Sequence, residues 1–281
     1  MSALPPLGLI AGNGMLPYRI IETLRGSARP VFAVGISGEV DDGVADDMHA
    51  WIGLGQLQRA RDLMQQEGVR EVVIVGGVQR PNLATLDLDE GGAWVVERAL
   101  SKAQRGDNAV LSLVLDYFEA QGFEIVSAAE LLSPATPLQG LLTDTDMAPH
   151  RQDMARAVEI ARHIGALDIG QGAIVARGIV LGVESVEGTD AMLARIGELS
   201  DEVRGTQAAR AGVLAKVPKP QQDRRIDLPA LGPQTVEGAA QAGLAGIVFE
   251  ADGVLFEALD ACIARANREG LFLFGLTTED L

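Results

Sequence analysis

Through the first half of the chain, short apolar runs bounded by glycine alternate with amphipathic stretches, and this alternation builds a parallel sheet covered by helices. Leu7–Ala11, 30–35 and Glu71–Val75 read as strands of that sheet. Between them Leu57, Ala60, Leu63 and Met64 recur at three- and four-residue spacing among polar neighbours, which marks the buried face of a helix. In an open α/β sheet, binding loops gather at the carboxyl ends of the strands, where helix N-termini and free backbone N–H groups converge. Each glycine-rich strand end is therefore a candidate rim for a ligand.

Residues 123–127 read as a further strand, and the stretch 133–140 then combines two prolines with small polar residues. A junction placed there predicts a linker over 133–149 between domains at 1–132 and 150–281. Beyond it a helix is expected over 151–164, with Met154, Ala157, Val158 and Ala161 on one face. Residues 173–184 form a β-rich run broken by Gly178 and Gly182, either two strands or one bent strand. Strands at 213–217, 246–250 and 271–274 alternate with helices at 235–242 and 255–267. The expectation is α/β throughout: two α/β domains joined by a linker, the N-terminal one Rossmann-like with a mainly parallel sheet.

Composition excludes several function classes. Thirty-nine acids against 23 bases leave a net charge of −16, which repels nucleic acid and anionic headgroups. The single cysteine, Cys262, has no intramolecular disulfide partner and joins no Cys-His cluster suited to zinc. No apolar window approaches the roughly 18 residues of a membrane span. A soluble, cytoplasmic protein is expected.

Three loops at strand ends carry candidate ligand groups. Gly12-Asn13-Gly14 sits where a strand turns into a helix, but Pro17 stands where a dinucleotide fingerprint needs its third glycine, and no P-loop ending follows. Phosphate or ribose contact survives beside the simpler reading of a tight turn. Gly76-Gly77 brings Gln79 and Arg80 to a similar position. Asp107 either caps the helix that begins near Ala109 or faces a ribose or base. The acids at 41–42 and 46–47 read as solvated surface, and Asp144-Thr145-Asp146 lacks the rest of a covalent-phosphatase motif. His49, His150 and His163 are too scattered for a dinuclear site.

The densest signal runs from Lys216 to Asp227, and over 204–227 six bases face two acids, a local net of +4 in an acidic chain. Pro218, Pro220 and Pro229 stiffen the segment around Lys216, Lys219, Gln222, Asp223, Arg224, Arg225 and Asp227. Cations neutralise phosphate oxygens, while an aspartate holds Mg²⁺ or orients water. Glu184, Thr189 and Asp190 offer further carboxylates and donors where a strand passes into a helix, with Thr189 as N-cap the plainer reading.

Taken together, 9–17, 76–81, 183–190 and the segment Lys216-Val217-Pro218-Lys219-Pro220 with Gln222, Asp223, Arg225, Asp227, Leu228 and Pro229 resemble the LpxI family, UDP-2,3-diacylglucosamine pyrophosphatases of lipid A biosynthesis. The resemblance spans nearly the whole chain. It implies a Mg²⁺-dependent hydrolase that yields UMP and 2,3-diacylglucosamine 1-phosphate (lipid X) by attack of water on the β-phosphorus. On that reading Asp223 or Asp227 binds Mg²⁺ or positions water, and Lys216, Lys219 and Arg225 hold the diphosphate. Gly12, Asn13, Gly14, Gly76, Gly77, Gln79, Arg80, Asp107, Glu184, Thr189, Asp190 and Gln222 contact substrate. Asn13, where relatives often carry glycine, is expected in a turn that favours an αL-tolerant residue. The resemblance also implies a homodimer. Two acyl chains call for an apolar tunnel between the domains and a transient, peripheral contact with the inner membrane. An NAD-dependent oxidoreductase and a non-catalytic nucleotide-sugar sensor stay open as alternatives.

Overall fold

The structure is a computed structural model that describes residues 4–27, 29–79, 86–101, 107–132, 138–221, 224 and 228–277, without the side chains of residues 101 and 107–109. Two compact units make up the chain, the first from Met1–Leu132 and the second from Ser133–Arg224 with Leu228–Leu281.

In the first unit, β1 (Leu7–Ala11) is buried along its whole length and takes the centre of the sheet. It is followed by α1 (Met15–Arg25), β2 (Val31–Ile36), the single turn α2 (Asp42–Ala45), β3 (Ala50–Ile52) and α3 (Leu57–Gln66). Then come β4 (Glu71–Val75), α4 (Glu90–Ser101), α5 (Asp107–Ala120), β5 (Glu124–Ile125) and α6 (Ala128–Leu132). The five strands are all parallel in the order β3-β2-β1-β4-β5. This order reverses between β1 and β4, and the crevice outside the carboxyl ends at such a reversal is where open α/β sheets bind ligands. The predicted helix face holds: Leu57, Ala60 and Met64 are buried in α3, with Leu63 packed against the same core. The strand expected over 123–127 is shorter: Glu124 and Ile125 pair in register with β4, and the Val126 N–H adds a last bond to the Val72 carbonyl before α6 begins at Ala128.

The second unit holds β6 (Gly140–Leu141), α7 (Arg151–Ala166), β7 (Gly172–Ala176), β8 (Ile179–Val183), α8 (Gly188–Gly197) and α9 (Asp201–Arg204). It continues with β9 (Val213–Lys216), β10 (Ala230–Leu231), α10 (Pro233–Gln241), β11 (Gly246–Glu250), β12 (Leu255–Phe256), α11 (Leu259–Glu269) and β13 (Phe272–Leu276). A six-stranded sheet runs β6-β13-β11-β9-β7-β8, with β9, β11 and β13 mutually parallel and β7 antiparallel to both its neighbours. β8 thus points the same way as β9, and both reach the same rim. The run 173–184 resolves into the hairpin β7–β8, turned by Arg177 and Gly178 at φ 52° and 75°, the conformation of the tightest hairpin turns. Asp153 on α7 accepts both turn N–H groups at 2.8 Å. The helix expected over 255–267 begins only at Leu259, because buried Leu255 and Phe256 pair with β10 instead.

One face of this sheet packs Leu214, Ile247, Phe249 and Leu273 against α8, α10 and α11, and the other packs Val213, Ala215 and Val248 against α7. Among the described residues no helix is long and apolar enough to cross a membrane.

Candidate functional site

At the first rim, the loops leaving β1 and β4 are bound to each other. Asn13 N–H donates to the Gly77 carbonyl at 2.8 Å and Gly77 N–H returns to the Asn13 carbonyl at 3.0 Å. A Cβ on Gly76 would lie 2.7 Å from the Asn13 carbonyl oxygen, and Gly76 also adopts φ +92°, so glycine is needed there to let two backbones meet. Asn13 itself does not adopt positive φ; Gly14 does, at φ 93° as N-cap of α1, which corrects the expectation of an αL-tolerant turn at Asn13. The N–H groups that a phosphate would use are already engaged. Gly14 N–H donates to Asp41 Oδ2 at 2.8 Å, and Gln79 N–H donates to Glu39 Oε2 at 2.9 Å. The acids at 41–42 and 46–47 are therefore not merely solvated: Asp41 caps the first glycine loop and Asp47 pairs with Arg25. Arg80 lies outside the described residues. So does the side chain of Asp107, which opens α5.

At the second rim, register brings a cation and a carboxylate together. Lys216 ends β9 and pairs across the sheet with Gly172, whose carbonyl accepts from Glu184 N–H at 2.8 Å. Gly172 is the spacer between them, since a Cβ there would stand 2.6 Å from Glu184 Oε2. Lys216 lies on the strand face that meets α8 and α10, and it is 5% exposed. Its Nζ donates to Thr189 Oγ1 at 2.8 Å and to the Ala230 carbonyl at 2.6 Å. Thr189 in turn donates to Glu184 Oε1 at 2.8 Å, while Glu184 Oε2 is buried without a hydrogen-bond partner among the described residues. Burial drives the Lys216 ammonium below its ordinary value, opposed in turn by the charges of Glu184, Asp190 and Glu257. Thr189 is not an N-cap: Glu187 holds that place in α8, and the threonine hydroxyl reaches across to the sheet. Asp190 is exposed in the first turn, where the Thr235 hydroxyl approaches it at 3.5 Å.

The basic segment is less uniform than its charge count suggests. Arg204 is tied to the Leu199 and Gly205 carbonyls and to Asp201, and Arg210 to the Ala240 and Leu244 carbonyls and Glu269, so two of its six cations serve the fold. Lys219 pairs with Asp168 at 2.7 Å, and Arg224 pairs with Glu250 at 2.7 Å. Gln222, Asp223, Arg225 and Asp227 lie outside the described residues. Sequence reasoning missed Glu250, although a carboxylate closing a fully buried strand at a parallel-sheet rim is itself a signal. Asp168, Glu257 and Glu39 were missed too, and Asp41 was read only as solvated surface, because no motif around these acids marks a partner. The remaining motifs are structural. Asp146 Oδ1 accepts from Ala148 N–H, Asp144 N–H donates to Asn267, and His49 Nδ1 accepts from Ala33 N–H.

A family model described as the LpxI N-terminal domain matches residues 6–135, and one described as the LpxI C-terminal domain matches residues 138–274. The chain belongs to the LpxI family. It is 41% identical over 275 residues to a Caulobacter vibrioides protein named UDP-2,3-diacylglucosamine pyrophosphatase LpxI, covering 98% of both chains. The glycine loops at Gly12 and Gly76 fall within the residues matched by the LpxI N-terminal domain, and the Glu184–Thr189–Lys216 group within those matched by the C-terminal domain.

Proposed function

We propose that this protein hydrolyses the diphosphate of UDP-2,3-diacylglucosamine, releasing UMP and 2,3-diacylglucosamine 1-phosphate. The reading is carried by one observation: a chain 41% identical over its whole length to a pyrophosphatase of that name places a buried lysine at the rim from which the 217–229 segment departs. Lys216 and Lys219 hold non-bridging oxygens of the diphosphate, and Arg225 joins them. Asp223 and Asp227 orient the water that attacks the β-phosphorus. The glycine loops with Gln79 and Arg80 take the nucleotide half. Because Asp41 and Glu39 already occupy the amides there, those loops suit hydroxyl and base donors better than phosphate.

Mg²⁺ fits this donor chemistry. Among the described residues no three of His, Cys, Asp and Glu gather as a metal-binding group, but Mg²⁺ takes only one or two carboxylates from protein. Asp223 and Asp227 would supply them; Arg224, the one described residue between them in the sequence, pairs with Glu250 at the carboxyl end of β11. Bound there, the ion would neutralise charge developing on the phosphoryl oxygens. Val186 is 97% exposed two residues beyond Glu184 and offers apolar surface to an acyl chain. Dimerisation and transient inner-membrane contact complete the reading.

The test is UMP release from UDP-2,3-diacylglucosamine, expected with Mg²⁺ and abolished by EDTA. Asp223→Ala and Asp227→Ala should lower kcat far more than they raise KM, by about 10²-fold or more if the lost group acts only in the transition state. Wild-type turnover in both variants would remove the aspartates from the chemistry.

A further inference from the structure

The hydrogen bonds at Lys216 have a direction. The Ala230 carbonyl is an acceptor alone, so Nζ donates to it at 2.6 Å. The Thr189 hydroxyl has one proton, and the Glu184 carboxylate, 2.8 Å away, takes it. Only lone pairs then remain on Oγ1 for Lys216, which must donate at 2.8 Å. The chain runs one way, from Lys216 through Thr189 to Glu184, and it uses two of the three protons of an ammonium. Among the described residues one N–H bond is left without an acceptor, and its direction is set by the other two.

Three elements build this arrangement: the end of β9, the residue after β8 and the first turn of α8. All three side chains are nine-tenths buried or more, at 5% for Lys216, 7% for Glu184 and 7% for Thr189, so bulk water does not compete for these bonds. We propose that Thr189 and Glu184 are positioning residues that aim the remaining N–H of Lys216 at a non-bridging oxygen of the diphosphate, and that neither touches substrate. This rests on the hydrolase reading above and reassigns two residues expected to contact substrate directly. The charged groups facing Lys216 are Glu184 after β8, Asp190 on α8 and Glu257 after β12, so the ammonium depends on carboxylates from separate elements.

Thr189→Val keeps the shape and removes both bonds, while Thr189→Ser keeps both. Misaiming the N–H should lower kcat by about 10²-fold in Thr189→Val with KM within a few-fold of wild type, and Thr189→Ser should restore most of the rate. A second readout does not need turnover. The chain has three lysines, Lys102, Lys216 and Lys219, so ¹³Cε labelling resolves Lys216, whose titration should fall to lower pH in both Thr189→Val and Glu184→Gln. If wild type releases no UMP, the hydrolase reading fails, and the lysine titration still decides whether the chain of bonds exists. The proposal is overturned by wild-type kcat in Thr189→Val, by a loss confined to KM, or by an unmoved Lys216 titration. Should Thr189→Val fail to fold, Glu184→Gln is put through the same kinetics and titration, with the same outcomes for and against.

Discussion

An ammonium taken out of water is costly unless opposite charges and hydrogen bonds surround it, and Lys216 meets that condition through Glu184, Asp190, Glu257 and two acceptors. Its lowered pKa has two consequences of opposite sign. Between that lowered value and the ordinary 10.5, the unfolded chain binds the proton that the folded chain has released, so this group makes stability rise with pH through the window. Activity that needs the charged donor falls through the same window. Lys216→Met should therefore lack the alkaline gain in melting temperature expected of wild type, while losing about 10²-fold or more in kcat at neutral pH. Thermal melts and rates across the alkaline range check both signs on one pair of proteins. Lys216 could be singled out in the sequence because a lysine closing an apolar strand is unusual and stands beside prolines. The role of Thr189 could not, since a threonine near a helix start satisfies a local donor as well as a distant one, and only the register of β7, β8 and β9 decides which.

Strand register is also what makes Gly172 indispensable. Gly172→Ala puts a methyl group 2.6 Å from Glu184 Oε2, at a rim where Glu184 and Lys216 are already buried. Overpacking of this kind costs about 1–3 kcal/mol, and the displaced carboxylate should carry the kcat loss of Glu184→Gln with it. Chemical denaturation gives the first quantity and steady-state kinetics the second; an unchanged rate would show that Glu184 tolerates the shift. The long elements were readable, and for a physical reason: β1, β4 and β11 are continuous apolar runs bounded by glycine or charge, so the pattern of the chain changes at their ends. β3, β10 and β12 have two or three residues each, too few for any period, and they exist only because a neighbouring edge needed hydrogen bonds.

At the scale of the molecule, the net charge of −16 governs encounters that no single residue controls. If the protein visits an anionic bilayer to collect a lipid substrate, its own field opposes the approach. Raising ionic strength from about 10 mM to about 150 mM shortens the screening length from about 30 Å to about 8 Å, so cosedimentation with anionic vesicles should increase with salt. A decrease would reveal a basic patch strong enough to reverse the mean field. Within the +4 segment, Asp168, Asp201, Glu250 and Glu269 pair with four of the six cations, and all but the Asp201 pair close over long sequence separations that a count along the chain cannot foresee. The carboxylates of Asp41 and Glu39 on the glycine loops act at the same level. If the first rim takes the nucleotide half as proposed, they make it a place of exchange rather than of filling: an incoming anion would have to evict a tethered competitor present at high effective molarity, whereas a hydroxyl-bearing guest could simply join the existing bonds.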